Sequence, residues 1–300
     1  MASKFRKYAD GRGFLTLLLN LGRVRKGYQP IFLDHPVDAV PRYGYGKPAH
    51  PELAALLANG DAEYVRWLRR FAEYSDELKK IPMRAGAGSM EPHWQNEWFS
   101  GLDLVALYGF VARSNAAQLI EVGSGQSTKI ARLAIRNHGL KTKITSIDPQ
   151  PRAEIDALCD RVVRQRLEDC DLSMLRSLEA GDIFFFDGSH RTFMNSDVTV
   201  FFLEILPRLK PGVLVQIHDI LLPDDYLPWT EQEFYPHRYW SEQYMLAASL
   251  LAGHSNYDVV LPNHYVSTKP ELAGELEALW SSRELKGAPR AGVSFWIKTK

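Results

Sequence analysis

From residue 119 onward, short apolar runs alternate with stretches of helical periodicity. The runs "LIEV" (119–122), "KITSID" (143–148), "VVRQRL" (162–167), "DIFFFD" (182–187), "VLVQIHD" (213–219), "YDVVL" (257–261) and "GVSFWIK" (292–298) predict strands. Between them, 128–138, 151–159, 194–206 and 240–252 predict helices. Strands that are nearly all apolar belong in a sheet covered on both faces. The alternation predicts an α/β fold: a doubly wound, mostly parallel seven-stranded sheet with helices on both faces.

The first third has another texture. Residues 27–54 are rich in Pro, Gly and Tyr, which excludes a long helix and predicts a wrapped arm or linker. Residues 51–80 read as helical, with Tyr64, Trp67, Leu68 and Phe71 at the spacing of a core-facing stripe. "RAGAGSM" (84–90) is a Gly-rich break without the Lys-Ser/Thr ending of a nucleotide-gripping loop. "WFSGLDLVALYGFVARS" (98–114) resumes the helical pattern. The expected division is an arm and helical extension over 1–99 and a Rossmann-like domain over 100–300.

Composition narrows the partners. Lys and Arg number 36 and so do Asp and Glu, so no general basic field exists to meet nucleic acid. Two cysteines, Cys159 and Cys170, make neither a disulfide framework nor a clustered metal site, and a reducing, cytoplasmic compartment is the simple expectation. The run "FLTLLLNL" (14–21) is too short to span a bilayer, and no small-residue cleavage pattern follows it. Residues 1–30 carry seven basic groups and one acidic group, a segment suited either to an anionic partner or to solvent. The Pro-rich arm could reach a neighbouring subunit in a homo-oligomer.

Ligands of doubly wound sheets bind beyond the carboxyl ends of the strands. The first strand delivers "EVGSGQST", in which Gly123 and Gly125 allow a sharp turn and close ligand approach, and the next helix points free N–H groups at the same place. Thr128 stands where a dinucleotide fingerprint has its third Gly, which favours a mononucleoside over NAD. Asp148 ends the second strand, where a carboxylate commonly takes ribose hydroxyls. After the third strand, Glu168, Asp169 and Asp171 offer a carboxylate to an adenine amino group, with Asp169 the chosen candidate. Asp187 and His190 follow the fourth strand, His218 and Asp219 the fifth. The pattern leaves three readings open. Asp187, His218 and Asp219 could hold a divalent cation, the histidine tilting preference toward Mn, Fe or Zn. His190 or His218 could be a general base whose tautomer an aspartate fixes. Or Asp187 merely caps a turn and the histidines are polar filler.

The stretches "LIEVGSGQSTKIA", "ITSIDPQ", "IFFFDGSHRTFMNSDV" and "LPRLKPGVLVQIHDI" resemble class I S-adenosylmethionine (AdoMet)-dependent methyltransferases over roughly residues 100–300. The branch they resemble holds macrolide-sugar O-methyltransferases and cephalosporin-modifying relatives. The resemblance implies a cofactor site of Glu121, Gly123, Ser124, Gly125, Ser127, Thr128, Asp148, Asp169 and Asp187. In it the 123–125 turn lies against the methionine moiety and Asp148 holds the ribose. It implies His190 as base, with Asp187 and His218 in the catalytic set. It also implies a metal-binding group of Asp187, His218 and Asp219, where a histidine in place of the usual acid fits Mg²⁺ less well than Mn²⁺ or another divalent ion. The implied activity is O-methylation of a hydroxyl on a small molecule or sugar.

The segment 220–240 is long, aromatic and acidic. It could close over the site, with Tyr226, Trp229, Tyr235, His237, Arg238 and Tyr239 as acceptor contacts. Two other functions fit the same sheet: an NAD-dependent oxidoreductase, and a catalytically silent nucleoside-binding scaffold.

Overall fold

The computed structural model describes residues 40–86, 88–151, 154–226, 239–253 and 256–300, with Leu21, Val24 and Arg25. Most of the basic segment 1–30, and Trp229, Tyr235, His237 and Arg238 of the aromatic stretch, lie outside the described residues. Tyr43–Tyr226 and Tyr239–Lys300 form one compact unit.

Seven strands make one sheet: β1 (Gln118–Val122), β2 (Lys143–Ile147), β3 (Arg161–Val163), β4 (Ile183–Phe186), β5 (Leu214–Ile217), β6 (Tyr257–Pro262) and β7 (Phe295–Thr299). Their order is β3-β2-β1-β4-β5-β7-β6. β3 to β5 pair in parallel, whereas β7 runs antiparallel to both β5 and β6. The sheet is therefore mixed. The four residues of β4, Ile183 to Phe186, are all buried, as double coverage requires. The order in which strands are added reverses between β1 and β4, so the connections leaving their carboxyl ends part to opposite sides and open a crevice, the topological switch point.

The flanking helices are α1 (Pro51–Ala58), α2 (Asp61–Ala72), α3 (Leu102–Ser114), α4 (Gln126–Asn137), α5 (Asp197–Val200), α6 (Glu242–Leu251) and α7 (Asn263–Thr268), with isolated turns elsewhere. α3 is apolar almost all round and is buried from Leu102 to Val111. Gly109 lets α2 close on it, since a Cβ there would stand 2.1 Å from the Phe71 ring. α2 belongs to the same compact unit as the sheet. α4 turns Ile130, Ala131, Ala134 and Ile135 inward, while Arg132 and Arg136 face outward to Asp160 and Glu91.

Several predicted elements come out shorter. The helix expected at 151–159 reduces, among the described residues, to a 3₁₀ turn at Asp156–Leu158. The third strand stops at Val163, where the 3₁₀ turn Leu167–Asp169 soon takes over. The helix expected at 194–206 starts only at Asp197. Asn195 is left-handed (φ 55°), and the Ser196 hydroxyl caps the helix by accepting from Thr199 N–H. It then widens into a π-helical turn over Phe201–Ile205 before Pro207.

Candidate functional site

Gly123 leaves β1 at φ 77°, and its N–H donates to Ile147 O at 3.1 Å. Glu121, one residue below Val122, is fully buried. It accepts from the hydroxyls of Ser127 and Thr128 in the first turn of α4. Burial pushes its carboxyl up to about 7, against those two hydrogen bonds and with help from the charges of Asp187 and Asp148. Thr128 also accepts from Gly125 N–H at 3.0 Å. The position where a dinucleotide site would carry its third glycine is thus a buried, doubly bonded hydroxyl.

Asp148 links the turn to β2. One carboxylate oxygen accepts from Ser124 N–H at 2.9 Å and the other from Gln150 N–H at 2.8 Å. A cavity of about 380 Å³ opens here at the switch point. Gly123, Ser124, Asp148, Asp187 and His190 stand on its wall, with Ile147, Pro149 and Leu167 as apolar facing. Its size falls within the range of small-molecule sites. Gly125, Ser127 and Thr128 do not line it. The two hydroxyls are spent on Glu121, and Gly125 has open space where a Cβ would stand. Asp169 also departs from expectation. It pairs with Arg166 at 2.7 Å, and its neighbour Glu168 is the acid that reaches the cavity.

At the ends of β4 and β5 the expected cluster does assemble. His190 Nε2 lies 3.3 Å from Asp187 and 3.5 Å from Asp219. His218 Nδ1 lies 3.7 Å from Asp187 and 3.6 Å from Asp219. Two acids join that sequence reading missed. Glu242, the first residue of α6, stands 3.1 Å from His190 Nδ1. Asp103, in the first turn of α3, stands 3.6 Å from His218 Nε2 and is anchored by Asn263 and by the N–H groups of Val293 and Ser294. Both lie far in sequence from any strand end.

The electrostatics follow from four carboxylates around two imidazoles. Burial by itself would lower the His190 pKa, but Asp187 and Glu242 outweigh it and raise the ring to about 10. His218 is raised well above its usual value, with burial again overcome by Asp219, Asp187 and Asp103. Burial works to raise the Asp187 carboxyl, yet the two imidazoles hold it far below the carboxylate range. Glu242 is pushed up to about 7, by burial above all, against its bond to His190.

Among the described residues, Asp187, His218 and Asp219 each offer a ligand atom, all within 4.8 Å of one another. Both ring nitrogens of His218 are buried and lack a hydrogen-bond partner. Two carboxylates with an orphaned imidazole fit a divalent cation. Tyr226 packs edge-on against Trp240, whose ring lies over His190 at 4.4 Å. Tyr239 is left-handed (φ 46°) and exposed.

Residues 120–220 match a family model described as a methyltransferase domain. The match runs from β1 past β5 and spans the Gly123 turn, Asp148 and the Asp187/His190/His218/Asp219 cluster. The match supports a methyltransferase domain over these residues. No curated protein sequence matches the chain significantly. Solved structures overlap it only loosely. An SAH-bound Podospora anserina methyltransferase, PaMTH1, shares 15% identity, covering 86% of this chain and 100% of that one, at a TM-score of 0.40. Cofactor-bound Rv0187 from MTB shares 13%, covering 63% and 78%, at 0.33. Coclaurine N-methyltransferase, bound to N-methylheliamine and SAH, shares 12%, covering 97% and 94%, at 0.34. Likenesses this loose say nothing of substrate, and the fold rests on the sheet order itself. Among the described residues, no helix is long and apolar enough to cross a membrane.

Proposed function

We propose that the protein transfers the methyl group of AdoMet to a hydroxyl of a small molecule or sugar. The observation that carries this reading is the convergence of Asp187, His190, His218 and Asp219 beside the cavity walled by Gly123 and Asp148. The nucleoside fits that cavity. Asp148 has lone pairs to spare for ribose hydroxyls, and Ile147, Pro149 and Leu167 give an adenine ring an apolar wall. The sulfonium end then lies toward Asp187 and the open front of Gly125.

In the transfer, an S–CH₃ bond breaks and an O–CH₃ bond forms in line, giving a methyl ether and S-adenosylhomocysteine (AdoHcy). The hydroxyl proton goes to His190 Nε2. A protonated hydroxyl is a poor nucleophile, so a base within reach matters. Asp187 and Asp219 hold a proton on Nε2, and they must be engaged by other partners for the ring to act as base. A divalent cation on Asp187, His218 and Asp219 would neutralise those carboxylates and polarise the acceptor oxygen.

Calorimetric titration with AdoHcy and with NADH tests the cofactor, and AdoHcy alone should bind. Radiolabelled AdoMet offered with a panel of phenols, glycosides and free sugars tests the acceptor. His190→Ala should cut label transfer at least 100-fold and leave AdoHcy affinity within about 3-fold, the scale expected for loss of a general base. Undiminished transfer by His190→Ala would remove His190 from the mechanism. AdoHcy binding with no product from any acceptor or cell extract would favour a silent nucleoside-binding scaffold.

A further inference from the structure

We infer that Glu242 is a positioning residue that fixes the ring and the tautomer of His190. The inference rests on the reading of His190 as base. Glu242 is completely buried, and one of its carboxylate oxygens lies 3.1 Å from His190 Nδ1. Its other oxygen is buried with no hydrogen-bond partner. Burying a carboxylate is costly, and a carboxylate kept for packing would be expected to satisfy both oxygens. This one spends its single strong contact on the imidazole.

The joint that carries Glu242 makes two further contacts with His190 and one with its neighbour Thr192. The N–H of Ser241 donates to His190 O at 2.8 Å, and Ser241 Oγ accepts from Thr192 N–H at 2.8 Å. The Trp240 ring packs against the imidazole at a tilt of 44°, with ring centres 4.4 Å apart. His190 needs such support because it sits at φ 61°, a left-handed conformation that costs a non-glycine residue energy. The start of α6 therefore fixes backbone, ring plane and nitrogen together.

The chemical consequence is directional. A carboxylate only accepts at Nδ1, so Nδ1 keeps its hydrogen, and the exchangeable position of the ring is Nε2. Nε2 is the nitrogen that faces Asp219 and Asp187, the latter on the cavity wall, where an acceptor hydroxyl would arrive. Without Glu242 nothing would oppose Asp187 and Asp219, which favour the hydrogen on Nε2, and the neutral ring would present a donor rather than a lone pair to the hydroxyl.

The test uses the full-length protein labelled with ¹⁵N-histidine and saturated with AdoHcy. In the wild type, His190 Nδ1 should carry a slowly exchanging, strongly hydrogen-bonded proton, assigned by its loss in His190→Asn. In Glu242→Gln, whose amide can donate to Nδ1, that proton should vanish and the neutral ring should carry its hydrogen on Nε2. AdoHcy affinity and Tm should stay near wild type. With whichever acceptor of the panel is methylated, kcat of Glu242→Gln should fall about 100-fold with KM within 3-fold, comparable to loss of the base. An unchanged Nδ1 proton in Glu242→Gln overturns the inference even if His190→Ala is inactive. Full activity of His190→Ala overturns the base reading whatever the spectrum shows. Should Glu242→Gln not fold, the wild-type spectrum still decides, because an Nδ1 without a protected proton is incompatible with the role.

Discussion

A Cβ on Gly123 would stand 1.9 Å from the carbonyl oxygen of Asp187. The ends of β1 and β4 are thus in backbone contact where the ligand crevice opens. Asp187 N–H donates to Val122 O at 2.9 Å on one side, and Gly123 N–H is held by Ile147 on the other, so neither chain can retreat. Gly123→Ala adds a left-handed strain to this clash, for a loss of about 2–4 kcal/mol. The expected outcome is a Tm several degrees lower and loss of AdoHcy binding. A variant that melts and binds like wild type would show that the turn is not a close-approach point.

Asp148 and Asp169 make a contrast that tests the cavity assignment. Asp148 stands on the cavity wall, whereas Asp169 does not line it and is paired with Arg166. Asp148→Asn keeps the size but loses a charged acceptor, whose hydrogen bond is worth about 1.5–3 kcal/mol. AdoHcy affinity measured by calorimetry should fall roughly 10- to 150-fold, in line with that range. Asp169→Asn should bind within about 2-fold of wild type, because it gives up only an exposed pair. Equal losses in both would mean that the 3₁₀ turn at 167–169 reaches the ligand in a way its ion pair does not suggest.

Glu121 makes stability depend on pH in a sense opposite to most carboxylates. Its carboxyl sits at about 7 in the fold against an ordinary 4.5. Below 4.5 it is protonated folded and unfolded, and the fold suffers no penalty from it. Between 4.5 and 7 the unfolded chain ionises while the folded one keeps its proton, so stability falls as pH rises. The loss is complete above 7 and is on the order of 3 kcal/mol. Urea unfolding of wild type and Glu121→Gln from pH 4.5 to 8 should show the variant gaining steadily on wild type with rising pH. Parallel stability curves would place Glu121 in a less buried setting.

The sheet was legible because double burial leaves an unmistakable mark on a strand, as in "IFFF", and because the chain leaves β1 on Gly123, β4 on Asp187 and β5 on His218 and Asp219. The polar cluster at those ends was legible for the same reason. The reversal of β7 was not, since an apolar run carries no direction. Residues 263–280 form three short α-helical segments and a 3₁₀ turn that no periodicity of useful length announces. Asp103 and Glu242 stayed hidden because each looks in sequence like an ordinary acid in the first turn of a helix. Only the packing of α3 and α6 against the strand ends turns them toward His218 and His190.

His190 and His218 should separate experimentally, although both touch Asp187 and Asp219. His218 Nδ1 lies 3.6–3.7 Å from the two carboxylates and Asp103 stands 3.6 Å behind Nε2, a placement that would suit a metal-ligating histidine with an outer carboxylate. His190 gives its Nδ1 to Glu242 and, on the proposed reading, would carry the proton chemistry. Mn²⁺ is the appropriate probe, since two carboxylates and one imidazole suit it and its binding is read directly by electron paramagnetic resonance. His218→Ala and Asp219→Asn should each weaken Mn²⁺ binding at least 10-fold, as loss of one ligand of three requires. His190→Ala should bind Mn²⁺ as well as wild type or better, because it frees Asp187 and Asp219 from a competing cation. Methyl transfer should nonetheless be lost in His190→Ala. Mn²⁺ binding that ignores both His218→Ala and Asp219→Asn would mean the three groups hold no ion, leaving His218 as a buried cation that only balances the charge of its neighbours.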